Sequence, residues 1–135
     1  PEQFTFEGYT LTSASGSAPT VELRVLQNGE PRSVTVTAGD GPIDGIFLAI
    51  EKLTGIQTAC RDFRVQAVTV GKDAQAEVTV ELEATTPDGH PQGQRQVHRG
   101  RGVSTDSLEA SAKAFLAAIN RVAIGSQPRI HPQRA

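Results

Sequence analysis

With 135 residues, 37% of them apolar, the chain has enough hydrophobic content for one domain or two small fused halves, and too much for wholesale disorder. A formal net charge of −2 removes the electrostatic basis for binding nucleic acid or an anionic membrane. A single cysteine, Cys60, excludes an internal disulfide. No apolar run approaches the ~20 residues of a membrane span and no signal peptide opens the chain, so a cytoplasmic protein is expected.

Residues 1–8, opening Pro1-Glu2-Gln3, read as a linker remnant, and the lack of any methionine suggests a piece of a longer protein. Tyr9 to Ser15 forms a first, weakly alternating strand that Gly16 and Pro19 stop. Thr20 to Gln27 alternates clearly, with Val21, Leu23 and Val25 on one face and Glu22 and Arg24 opposite. Asn28-Gly29 suits the positive φ angles of a type I′ hairpin, and Ser33 to Thr37 alternates again. The period then changes: Ile43, Ile46, Phe47, Ile50 and Leu53 fall at helical spacing, with Pro42 tolerated in the first turn and Gly55 as the stop.

The pattern repeats. Phe63 to Val70 is a strand with Phe63, Val65, Ala67 and Thr69 sharing a face, and Gly71-Lys72-Asp73 is a turn. Ala74, Ala76, Val78 and Val80 share a face of the next strand, and Pro87-Asp88-Gly89 is a strong turn signal. Gln94 to Gly100 reads as a sixth strand. Its arginines Arg95 and Arg99, with Arg101, lie near Asp88 and Asp106 without interleaved aromatics, as on a solvated face. A second helix runs from about Asp106 to Val122, where Asp106 and Glu109 have capping-box spacing, and residues 125–135 read as a frayed tail. Each helix follows a Gly-x-Gly turn, at Gly39-Asp40-Gly41 and Gly100-Arg101-Gly102. The expected fold is α+β: two β-β-β-α units, 9–55 and 60–124, each an antiparallel three-stranded sheet with one helix, packed together as an internal repeat within a domain spanning 9–124.

Catalytic and metal chemistry find little support. His90, His98 and His131 are scattered without ligand spacing, Cys60 has no partner that would make it a nucleophile, and neither a G-x-S-x-G elbow nor a P-loop is present. Gly39-Asp40-Gly41-Pro42-Ile43-Asp44-Gly45 sits between strand and helix like a dinucleotide fingerprint. Its third glycine falls one place late, however, and its two aspartates would repel a pyrophosphate. Two readings stay open: a plain tight turn, or a zwitterion site in which helix N–H groups attract a carboxylate while Asp40 or Asp44 accepts from an ammonium. Ala67, Ala74 and Ala76 leave space on their shared sheet faces, which fits either a ligand or a closely packed helix.

Gly39-Asp40-Gly41-Pro42-Ile43-Asp44, Phe63-Arg64-Val65-Gln66-Ala67-Val68-Thr69, Gly71-Lys72-Asp73-Ala74-Gln75-Ala76 and Gly102-Val103-Ser104-Thr105-Asp106, followed by Glu109-Ala110-Ser111-Ala112-Lys113-Ala114, occur in an order and spacing that strongly resembles the C-terminal regulatory domain of 2-isopropylmalate synthases, from about Phe6 to Ile124. Citramalate synthases carry a related domain. The resemblance implies a homodimer that binds leucine, or a similar branched-chain amino acid, for feedback inhibition of a catalytic barrel elsewhere in the parent chain. The site it implies comprises Gly39, Asp40, Ile43, Asp44, Cys60, Phe63, Ala67, Ala74 and Ala76, with Cys60 needing a loop or a bulge to join the face of Phe63. Isoleucine sensing for a citramalate synthase and a plain dimerisation module are the alternatives. The family's barrel, with the residues for its divalent metal, is missing, so no catalytic residue and no cofactor is expected in this chain, nor a nucleic acid or membrane partner.

Overall fold

The structure, a computed structural model, describes residues 3–86, 90 and 96–126. Its elements follow the order β1 (Phe4–Ala14), β2 (Ser17–Gln27), β3 (Glu30–Thr37), α1 (Pro42–Thr54), β4 (Thr58–Val70), β5 (Asp73–Ala84), β6 (Val97–Ser104) and α2 (Ser107–Ser126). Two antiparallel three-stranded sheets result, ordered β1-β2-β3 and β4-β5-β6. The expected α+β repeat is the fold observed.

Local chemistry accounts for each junction. Asn28 and Gly29 both take positive φ, 52° and 87°, as the type I′ hairpin requires. Gly55 ends α1 in the left-handed region at φ 73°, and its N–H closes on the Glu51 carbonyl at 2.8 Å. The central strands carry the core: Val21, Leu23 and Val25 of β2, and Val78, Val80 and Leu82 of β5, are buried on one face of their sheets. Each such side chain stabilises the fold by ~1.5–3 kcal/mol relative to exposure. The helix α1 lies on β2 and β3, and α2 lies on β5 and β6; the helices touch, so the two halves share one core.

Several boundaries differ from the alternation pattern: β2, β3 and β4 begin earlier than expected, at Ser17, Glu30 and Thr58, and three further differences are informative. The strand β1 begins at Phe4 rather than Tyr9, so residues 4–8, read as linker, pair with β2. Phe4 is only 2% exposed, and burial outside the weak alternation of its neighbours hid it. The strand β6 runs through Gly100-Arg101-Gly102, which is therefore no turn. A Cβ at either glycine would overlap the α2 backbone, at the Ala114 carbonyl and Ala118 amide for Gly100 and at the Ala110 carbonyl and Ala114 amide for Gly102. Finally, α2 continues to Ser126, past the expected end at Val122. The Pro87-Asp88-Gly89 turn and the tail beyond Ser126 lie outside the described residues.

Candidate functional site

After β3 the chain turns sharply. The Ala38 N–H is held by the Pro19 carbonyl at 2.7 Å, and Gly41 adopts φ 115°, a conformation side chains disfavour. Gly41 is the N-cap of α1, and no side-chain hydrogen bond caps this helix; Pro42 removes one donor of the first turn, and the first backbone bond runs from the Gly45 N–H to the Gly41 carbonyl at 2.9 Å. The second repeat solves the same problem differently. Asp106 accepts the Leu108 N–H at 2.9 Å through Oδ1, half of the expected capping box, while Glu109 pairs with Lys113 at 2.9 Å instead of reaching back. One helix start is closed by its own carboxylate and the other is open.

The open start forms a cleft of about 360 Å³ lined by Ala38, Gly39, Asp40, Asp44, Gly45, Phe47, Leu48 and Glu51. Gly45 keeps its floor tight, because a Cβ there would run into the Ala38 Cβ and Val21 Cγ2. Among these lining residues three are carboxylates and none is cationic, so the cleft favours a positive group. Glu51 is fixed by accepting from the Thr58 N–H at 3.0 Å and the Thr58 hydroxyl at 3.3 Å, which ties the cleft to the start of β4.

The remaining candidates lie on the second sheet. Phe63 stands opposite Val80, Val65 opposite Val78, Ala67 opposite Ala76 and Thr69 opposite Ala74, so the shared face read from period two is real. A register shift between Cys60 and Asp62 supplies the bulge that Cys60 needs and sets it opposite Leu82, on the face of Phe63. The extra residue, Arg61, reaches the buried Glu83 at 2.7 Å. Cys60 itself is exposed at its surface, and partial desolvation holds its thiol above the ordinary value, which disfavours the nucleophilic thiolate.

Gly39, Asp40 and Asp44 thus come together on the cleft, whereas Ile43 is half buried beside it. Cys60, Phe63, Ala67, Ala74 and Ala76 form a separate group, reached from the cleft through Phe47, whose ring centroid is 5.7 Å from that of Phe63. Phe47, Leu48 and Glu51 are not among the site residues expected from the sequence, which marks Phe47 only as part of the helix stripe. Their helical spacing from Asp44 was the available signal, since 44, 47, 48 and 51 share one flank of α1. Among the described residues no three His, Cys, Asp or Glu side chains gather to hold a metal ion, and no helix is long and apolar enough to cross a membrane.

The model of the LeuA allosteric (dimerisation) domain matches residues 1–123. The chain belongs to that family. Its relatives include the 2-isopropylmalate synthase of Rhodopirellula baltica, 41% identical over 133 residues that cover 97% of this chain and 24% of that protein. The 2-isopropylmalate synthase of Carboxydothermus hydrogenoformans is 38% identical over 129 residues, covering 96% and 24%, and that of Pyrococcus furiosus 38% over 108 residues, covering 80% and 20%. The chain therefore spans about 24% of the length of the first of these relatives, and the part it matches is the regulatory and dimerisation domain. Within this LeuA-type domain, the two related helix starts are chemically unequal: the first is uncapped and opens onto a cleft, and the second is capped by Asp106.

Proposed function

We propose that the domain senses leucine in the α1 cleft and, as a homodimer in the cytoplasm, relays end-product inhibition to the catalytic barrel of a 2-isopropylmalate synthase. The observation that carries this reading is the uncapped start of α1 inside an acidic, apolar-walled cleft. A free amino acid is a zwitterion. Its carboxylate suits the unshared N–H groups and positive end of the α1 dipole, and its ammonium suits Asp40, Asp44 and Glu51. Phe47 and Leu48 offer the aliphatic side chain an apolar wall, which continues through Phe63 toward Ala67 and Ala76. In one chain that wall is open, and a second copy laid on it would enclose the ligand.

Calorimetric titration with leucine, isoleucine and valine separately tests the proposal. Leucine is expected to bind most tightly, and Asp44→Ala to weaken it by ~1.5–3 kcal/mol through loss of a charge-assisted bond. Preference for isoleucine would move the domain to a citramalate synthase. A dimer silent toward all three would be a dimerisation module alone.

A further inference from the structure

We infer that α2 links the α1 cleft to the first strand of the chain, joined to the cleft by an aromatic contact and to the strand by a side-chain amide. The first joint is Phe47. Its ring lines the cleft and stands 4.0 Å, centroid to centroid, from Phe115 of α2, which is buried. A ligand that displaces Phe47 must move Phe115 or open a void beside it, and close-packed interiors resist voids.

The second joint is Asn120, little more than a helical turn beyond Phe115. Its Oδ1 accepts the Phe4 N–H at 2.8 Å and its Nδ2 donates to the Phe4 carbonyl at 2.8 Å. This paired exchange is what a neighbouring strand would supply, so a helix side chain occupies the outer edge of β1, which pairs in its own sheet with β2 alone. Phe4 and Asn120 are both buried, where an unmade bond is costly, so β1 follows α2 rather than releasing it. Midway along β1 the Tyr9 hydroxyl donates to Asp106 Oδ2 at 2.5 Å, at the start of α2. A single helix of ~30 Å thus grips β1 twice. Its rigidity turns a change at Phe115 into a displacement of Phe4. This route of inhibition rests on the proposed sensing role, which supplies the cleft's ligand, and on the C-terminal position that the family resemblance implies for the domain, which puts the catalytic barrel ahead of β1.

Amide exchange resolved by NMR tests the link without ligand. Phe47→Leu should speed exchange of the Phe4 N–H at least tenfold, measured against the Leu23 N–H in the centre of the first sheet. Unchanged relative exchange would overturn the inference. In the complete parent enzyme, Asn120→Leu should leave leucine affinity within threefold of the original while abolishing inhibition; full inhibition by leucine in that variant would also overturn it. If leucine gives no binding heat yet Phe47→Leu still speeds exchange at Phe4, the sensing role fails and the mechanical link stands.

Discussion

Asp106 holds two donors at once, the Leu108 N–H through one oxygen and the Tyr9 hydroxyl through the other. Desolvation first, then that hydrogen bond and the charges of Asp106 and Glu109, push the Tyr9 phenol up to about 12. A folded-state pKa above the ordinary 10 means that this contribution to stability is complete below pH 10. It is lost as pH rises from 10 toward 12, while the unfolded chain ionises first. Tyr9 is the only tyrosine in the chain, so phenolate absorbance reads it alone. The native domain is expected to remain mostly unionised at about pH 11, where an ordinary tyrosine has largely titrated. Asp106→Asn keeps an acceptor for the helix cap yet removes the charge, and should bring the midpoint down; a native midpoint near 10 would show that the bond does not persist in solution. Asp44, the aspartate at the start of the other helix, is exposed on the cleft instead. Residue type and spacing announced both carboxylates, but which of them already had donors depended on Tyr9, distant in sequence.

The two Gly-x-Gly pairs make the same point for elements. Gly39-Asp40-Gly41 is a turn, whereas Gly100 and Gly102 lie flat in β6 beneath Ala110, Ala114 and Ala118 of α2. Both pairs read as turns in the sequence because glycine permits a turn and a close helix approach alike; the helix that decides between them is not a local feature. Periodicity marked the elements whose buried face carries apolar side chains, as in β2 and β5, and it faltered along β6, whose buried face is carried by Gly100 and Gly102, with no side chain to show it. Gly102→Ala is expected to lower stability at the upper end of the ~1–3 kcal/mol seen for overpacking, because the added methyl meets backbone that no rotamer change can clear. Gly39→Ala has open space around it and should stay within ~0.5 kcal/mol. Urea midpoints of the two variants separate these outcomes. Equal midpoints would mean that β6 and α2 are not held as closely as described.

At the scale of the molecule, the face shared by β4 and β5 is covered unevenly. The helix α2 lies on β6 and β5, so Val78 and Val80 are buried, while of their partners on β4 Phe63 is half-buried and Val65 is left toward solvent. Val65 is 52% exposed, and Leu48, beside the cleft, is 43% exposed. The repeat and its sheet faces were legible from alternation alone. This uneven cover was not, because alternation reports which residues share a face and says nothing of what lies on it. For a member of a dimerisation family the fitting cover is a second copy, packed through the same patch on both chains about a two-fold axis. Sedimentation at micromolar concentration should therefore give twice the chain mass. Val65→Arg places a charge in the middle of the patch, where desolvating it against its symmetry mate would be costly. The folded chain should tolerate the substitution, since in the monomer this position already faces water. The variant is expected to sediment at the mass of one chain with an unchanged far-ultraviolet circular dichroism spectrum. On the proposed sensing role, leucine binding should weaken in parallel, because the open wall beyond Phe63 would lose its cover. A Val65→Arg protein that remains dimeric would place the interface on another face, and one that is monomeric yet binds leucine at full strength would show that a single chain encloses the ligand.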